Sequence, residues 1–453
     1  MFINRQIWSF FCRYITLAIV WLWVATIVFP SPAKADVIYQ AFNLPFQEVK
    51  TKLPELKEQG YTHIQISPPQ KSNPSSEWWA RYQPLDFTVL ESPLGNESDL
   101  KELIEAAHQQ GEKIIIDVVL NHMADYPPYS SSLEYPRFSP QDFHPKACIN
   151  NYSDRYQVTY GWLGCSLPDL NTESDYVRQE GKQYLQKLLA LGADGFRFDA
   201  IKHIEPEYFE DVLQVVPSDK YLYGELIEGR PNESFLYTEI HDLDISDYPL
   251  LETIKQAFSF GGDLRSLIAP QSSNGALPGV NAVTFAQTHD TVEGGDLYNS
   301  YGLEERDAML ANAYVLAREE GFPLIYRDDA SYPIVQAGIS FHEQMLTQPQ
   351  DFRNGNEIAQ GADSPNLLFI ERGSKGIAII NKSGNSFDVQ SAKMPGLDVG
   401  CYKELQHHFT ISVAMGDDGQ KYITQWGTPE RKGMQIGPRD ALFFVQTVRE
   451  NCQ

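Results

Sequence analysis

The chain has 453 residues, with 36 Lys+Arg against 60 Asp+Glu, a formal net charge of -24, 42% hydrophobic residues and 12% aromatic residues. This length asks for a large barrel or several domains, and the apolar content excludes a disordered chain. The acidic balance argues against nucleic-acid backbones and anionic membrane surfaces as partners.

The first predicted segment is a leader. Residues 1–35 contain Arg5, Arg13 and Lys34, no acid, an almost unbroken apolar run over 15–29, and Ala33-Lys34-Ala35 after it. A basic start, an apolar run and a small-x-small site read as a secretory signal peptide, so the mature chain is expected to begin at about Asp36 and to be secreted or periplasmic. A retained anchor is the competing reading. The run is short for a span of about 20 residues and a cleavage site follows it, so no stable membrane insertion is expected after cleavage. Four cysteines then remain: Cys148, Cys165, Cys401 and Cys452. In an oxidising compartment an even number suggests two disulfides, and the spacings favour Cys148 with Cys165 and Cys401 with Cys452 among the pairings possible.

Strands and helices alternate along the chain. Residues 36–42 (DVIYQAF) are strand-like, and 46–60 have helical apolar spacing with a Gly stop. A short strand at 62–67 (THIQIS), a helix over 100–111 and a buried run at 113–120 (KIIIDVVL) follow. Next come a helix over 176–191 and runs at 195–200 (GFRFDA), 221–227 (YLYGELI), 282–287 (AVTFAQ) and 322–326 (FPLIY), with a weaker strand within 242–251. Short, continuously apolar strands between helices indicate a parallel sheet covered on both faces, and eight such units make a (β/α)8 TIM barrel, an α/β fold. The polar, Tyr- and Pro-rich stretch from 123 stands where the third strand-to-helix loop belongs, and a loop that long is usually functional. The expected organisation is a first barrel part over 36–122, an inserted loop-domain over 123–175, a second barrel part over 176–362 and a C-terminal antiparallel β domain over 363–453.

Polar residues gather at the predicted strand ends: Asp117 with Asn121-His122, Arg197-Phe198-Asp199 with Lys202-His203, Gly224-Glu225, and Thr288-His289-Asp290. A single Asp after a strand is usually a turn or helix cap. Four such ends on one rim are not explained as caps, because charges at an apolar barrel mouth cost desolvation energy unless paired or used. Several carboxylates at one point suit glycoside hydrolysis, in which one attacks the anomeric carbon and another protonates the leaving oxygen. Asp199 and Glu225 end neighbouring strands, and Arg197, on the same strand face as Asp199, would favour its ionised form.

These motifs, in this order, resemble the alpha-amylase family of glycoside hydrolases over most of the mature chain. Leu167-Pro-Asp-Leu170 resembles a fifth family motif in the loop-domain. Trp78-Trp79-Ala-Arg-Tyr82-Gln83-Pro84, Asp175-Tyr-Val-Arg178 and the Cys148 and Cys165 pair are similar to animal-type members. The resemblance implies Asp199 as nucleophile, Glu225 as general acid/base and Asp290 as transition-state stabiliser. His122 and His289 would bind the same sugar, with Tyr82 stacked under it and Gln83 beside it. Arg197 would belong to the same substrate-binding set. Trp78 and Trp79 would form the neighbouring sugar platform. An extended segment would turn these two adjacent side chains opposite ways. Lys202 and His203 would contact the leaving-group side.

The resemblance also implies a structural calcium ion held by the Asn121 side chain, the Asp169 carboxylate and the His203 carbonyl, oxygen ligands that suit a hard cation. It implies possible chloride binding through Arg197 and Arg327, although Thr288 stands where such members carry Asn. The implied activity is an exported, retaining endo-hydrolase of alpha-1,4-glucosidic bonds in starch- or glycogen-type glucans, acting as a monomer with an alpha-glucan as its partner. The alternatives are a retaining alpha-glucan transglycosylase, an oligosaccharide-specific alpha-glucosidase, or a non-catalytic sugar-binding barrel. The last has the weakest support, since Asp199, Glu225 and Asp290 are all present.

Overall fold

A computed structural model of the protein describes residues 36–227, 231–354, 365–389, 392–425 and 435–448. The leader at 1–35 and Cys452 lie outside the described residues. Eight parallel strands close into a barrel in sequence order: β1 (Ile38–Ala41), β2 (His63–Ile66), β3 (Lys113–Val118), β4 (Gly195–Phe198), β5 (Tyr221–Gly224), β6 (Asp244–Ser246), β7 (Ala282–Phe285) and β8 (Phe322–Tyr326). The weak sixth strand is real and only three residues long.

The two-residue period of the strands sorts the core. Ile38, Ile115, Tyr223, Val283 and Leu324 form one cluster within the barrel. Their neighbours Tyr39, Ile64, Ile114, Ile116 and Phe196 join the larger cluster under the helices. Moving two residues toward each C-terminal strand end from the interior set reaches Gln40 on β1, Asp117 on β3 and Glu225 just past β5. Alternation therefore carries these polar side chains to the mouth of the barrel.

The outer helices begin and end on local signals. Asn96 accepts hydrogen bonds from the backbone of Ser98 and Asp99 at the start of one helix (Glu97–Gln110). Ser174 caps another, Asp175–Leu191, which stops at Gly192 in the left-handed conformation, φ 105°. That stop turns the chain directly into β4. Between β3 and this helix lies the long polar stretch, which contains a short helix (Arg155–Tyr160) and the Cys148–Cys165 disulfide, Cα–Cα 4.5 Å.

A seven-stranded antiparallel sheet follows the barrel. Its central strands, Leu367–Arg372, Gly376–Asn381 and Asp440–Thr447, are buried on both faces. Leu368, Ile370, Ala378, Ile380, Ala441 and Phe443 pack with the barrel core, and Leu367, Phe369, Ile377, Ile379, Leu442 and Phe444 pack into a second core of the sheet. Cys401, in the next strand, is disulfide-bonded. Among the described residues no helix is long and apolar enough to cross a membrane.

Buried cations fasten this sheet to the barrel. Arg372, fully buried, donates to the carbonyls of Ala317 and Arg318 at 3.0 and 2.8 Å and to those of Met345 and Gln348 at 2.7 and 2.9 Å. These carbonyls end the barrel helices Glu305–Ala317 and Pro333–Met345, so the guanidinium meets the negative ends of two helix dipoles. Lys382 does the same for the helix Tyr248–Phe258, donating to Ala257 at 2.6 Å and also to Gly262. Replacing Arg372 with Ala orphans four carbonyls in a dry interface. We expect a loss of about 3–5 kcal/mol, read from the denaturant midpoint at unchanged slope.

Candidate functional site

The rim at the C-terminal ends of β3, β4, β5 and β7 is organised around Arg197. Its Nη1 donates to Asp117 Oδ1 and Oδ2 at 2.8 and 3.0 Å and to Asp199 Oδ1 at 2.8 Å. Its Nη2 pairs with Glu225 Oε1 at 2.6 Å and lies 4.0 Å from Asp290 Oδ2. Tyr82 Oη donates to Asp117 Oδ2 at 2.9 Å, and the guanidinium lies over the Tyr82 ring at 5.7 Å. One cation thus faces four carboxyls, all buried or nearly so.

The local chain explains how the two central carboxyls meet. The Asp199 and Glu225 amides are pinned by the carbonyls of Val118 and Phe198 at 2.9 and 2.8 Å. Gly224 lacks a Cβ that would collide with Ile201, so the turn after β4 packs directly on the end of β5. In that turn Ala200 adopts a left-handed conformation, φ 51° and ψ 39°, which costs a non-glycine residue energy. The strain aims the Ala200 amide at Glu225 Oε2, 3.1 Å away.

Burial dominates the electrostatics. It pushes Asp117 up to about 6 against the pull of Arg197. Asp199 rises well above the ordinary carboxylate range, first through burial and then through Glu225 and Asp117, with Arg197 opposing. Arg197 alone would lower it; burial, which the sequence does not reveal, outweighs that pull. Asp290 also rises, through burial and then Glu225, with which it shares a hydrogen bond. Carboxyls this close disfavour one another's ionised forms, and one guanidinium offsets only part of that. Burial pushes His122 down to about 4 and His203 to about 3, and pushes His289 down together with Arg197, so all three rings are neutral near pH 7.

Above the cluster opens a cleft of about 320 Å³. Trp78, Trp79, Tyr82, Gln83, His122, Asp199, Lys202, His203, Glu225, His289 and Asp290 all line it. Leu163, Leu167, Ile227 and Leu297 line it as well, and as isolated apolar residues they carry no sequence signal. Two expectations need correction. Trp78–Tyr82 is a 3-10 turn rather than an extended segment, and this curvature lets both tryptophans face the cleft. Arg197 does not line the cleft; it lies beneath, 3% exposed, with its donors taken by carboxylates.

Gln40 was not among the expected residues. Its amide nitrogen meets His289 Nδ1 at 3.2 Å and its oxygen accepts from the His289 amide at 3.1 Å, so it orients that ring. The signal was a glutamine within an otherwise buried strand. His122 has both ring nitrogens engaged, with the Tyr82 carbonyl at 3.0 Å and the Asn121 amide at 3.3 Å.

An isolated bridge between His122 and Asp169 brings the inserted segment to the end of β3. The Asp169 carboxylate is bonded by Asn121 and by His144 Nδ1, the latter at 2.7 Å, while its Oδ1 is buried without a partner. Burial pushes Asp169 up to about 7. A bare, buried carboxylate oxygen beside an amide fits a hard cation. Among the described residues no group of three His, Cys, Asp or Glu side chains is arranged for a metal. The expected calcium set holds a single carboxylate. His203 sits close by, its Nδ1 bonded to the Val158 carbonyl at 2.8 Å.

The residues do not fit the chloride expectation. Arg327 donates to the Phe42 carbonyl and to Asp328 and lies over the Phe42 and Tyr326 rings. The small pocket beside Arg197 is lined by Thr288 and Leu324 rather than Arg327. Carboxylates surround the one cation there, so an anion would be repelled. Replacing Arg197 with Met, which removes the charge at similar volume, leaves these carboxyls facing one another. We expect about 3–5 kcal/mol of destabilisation, measured by denaturant unfolding at pH 7.

Comparison with known proteins places this geometry. Residues 46–241 match the profile of the alpha amylase catalytic domain. An alpha-amylase of Aeromonas hydrophila is 33% identical over 414 residues, covering 79% of this chain and 87% of that protein. An alpha-amylase-related protein of Drosophila pseudoobscura pseudoobscura is 27% identical over 437 residues, covering 82% and 86%. Among solved structures, alpha-amylase I of Eisenia fetida superposes with a TM-score of 0.77 at 20% identity over 91% of this chain and 98% of that one. A variant of the same enzyme, solved as a maltohexaose complex, superposes with a TM-score of 0.75 at 19% identity over 92% and 98%.

Proposed function

The chain belongs to the alpha-amylase family of glycoside hydrolases, and on that premise we propose that it is an exported alpha-amylase cleaving alpha-1,4-glucosidic bonds within starch- or glycogen-type glucans with retention of configuration. The observation that carries this reading is the joint presence of Asp199, Glu225 and Asp290 in one cleft, with the first two on the two terminal nitrogens of one guanidinium. Two carboxyls sharing one guanidinium support the short separation of a retaining pair, about 5–5.5 Å, over the wider gap of an inverting one.

Asp199 attacks the anomeric carbon and forms the glycosyl-enzyme. Glu225 gives its proton to the departing glycosidic oxygen, then takes one from the water that releases the sugar. Asp290 holds the hydroxyls of the reacting sugar and steadies the developing positive charge. His289 assists, fixed by Gln40. Tyr82, Trp78 and Trp79 offer aromatic faces to sugar rings, and Lys202 and His203 meet the leaving-group side. A maltohexaose complex of a protein with the same fold supports a linear glucan as the occupant. Asn121, Asp169 and the His203 carbonyl would hold a calcium ion, which when bound would tie the inserted segment to the barrel.

Purified chain should release reducing ends from soluble starch, and Glu225→Gln should lower kcat by about 10³-fold, within the range for losing a general acid. Equal rates for wild type and variant would refute the assignment. Because Asp199 must be ionised to attack and burial raises its pKa, kcat/KM should fall on acidification through a pKa above the ordinary aspartate value of about 3.9. Exhaustive chelation should lower Tm and added calcium should restore it, through loss and return of a ligand bound only by the folded state. Asp169→Asn should show a weakened response to both.

A further inference from the structure

The helix Arg155–Tyr160 of the inserted segment reaches the turn after β4 at two points that bracket His203. Arg155 Nη1 donates to the Lys202 carbonyl at 2.7 Å, and its Nη2 donates to the Ile204 carbonyl at 3.2 Å and to Tyr237 Oη at 2.6 Å. Tyr237 Oη in turn donates to the same Ile204 carbonyl at 2.7 Å. The second tether is the His203 Nδ1 contact with the Val158 carbonyl. Asp154 accepts from the backbone of Tyr156 and so fixes the first turn of the helix that carries the arginine.

The gripped turn needs external support. It contains the strained Ala200, whose amide contacts Glu225, and Lys202, whose Nζ donates to the Ile227 carbonyl at 2.7 Å. Lys202, His203 and Ile227 all line the cleft. A guanidinium is suited to the task because its planar donors reach two carbonyls and a hydroxyl at once, which an ammonium on a flexible stem does not reproduce.

We infer that Arg155 is a positioning residue that, with Tyr237, sets the leaving-group side of the cleft by fixing the 200–204 turn. The inference rests on the hydrolase reading above. Arg155 does not line the cleft; it acts through Lys202 and His203, which do. Its loss therefore weighs on substrates whose leaving group is a glucan and spares those whose leaving group needs no such contact.

The test compares wild type, Arg155→Lys and Tyr237→Phe, as full chains, on soluble starch and on an aryl maltotrioside with an activated nitrophenol leaving group. The Lys variant should lose about tenfold or more in kcat/KM on starch, as small misplacements of binding groups do, and less than about threefold on the aryl glycoside. The Phe variant, which removes only a hydroxyl, should shift the same ratio in the same direction by less. Parallel losses on both substrates, or no loss on starch in either variant, would overturn the inference while leaving the hydrolase reading intact. A wild-type chain inactive on both substrates would overturn that reading and this inference with it.

Discussion

The site depends on the burial of one guanidinium among four carboxyls. Arg197 is reached only from β4, yet it touches side chains from the ends of β3 and β5 and approaches one beyond β7. Removing a charge from water costs several kcal/mol, recovered only with good geometry and further hydrogen bonds. Here Tyr82 binds the outer oxygen of Asp117, Ala200 offers its amide to Glu225, and Asp290 shares a hydrogen bond with Glu225. Excess negative charge is what separates this cluster from a structural ion pair. Burial first, and then this excess charge, raises Asp117, Asp199 and Asp290 above the ordinary carboxylate range.

The surrounding fold keeps this arrangement rigid. The barrel supplies strand ends in fixed register, with Asp117 opposite Arg197 in the β3–β4 ladder. The inserted segment adds Asp169 beside Asn121 and a clamp on the turn after β4. The C-terminal sheet stands apart from the chemistry and covers barrel helices with buried cations at their C-terminal ends. Each unit brings polar groups to places where the barrel alone would leave backbone atoms unsatisfied.

Much of this was legible in the sequence because it rests on local signals. Apolar runs of strand length between capped helices give a barrel, and the polar residues at 121–122, 199–203, 225 and 289–290 mark its mouth. What was not legible depends on the third dimension. In the turn Trp78–Tyr82, Trp78 and Tyr82 pack against Phe42, a contact that no local spacing encodes. The rise in the Asp199 pKa comes from desolvation, which no spacing encodes. Arg327 carries the charge expected of an anion ligand, but its backbone position turns it toward Phe42 and Asp328. Arg155 was invisible for the same reason, and Gln40 showed only as a glutamine in an otherwise buried strand: each acts on groups far along the chain that only folding brings near.

The account stands or falls on how Asp199 and Glu225 divide the reaction. Proton NMR of the anomeric signals during the first moments of maltooligosaccharide hydrolysis tests it most directly, before mutarotation mixes the anomers. Attack by Asp199 followed by water inverts twice, so the new reducing end should appear as the alpha anomer. A beta anomer at early times would mean that water attacks directly, and would contradict the nucleophile assigned to Asp199.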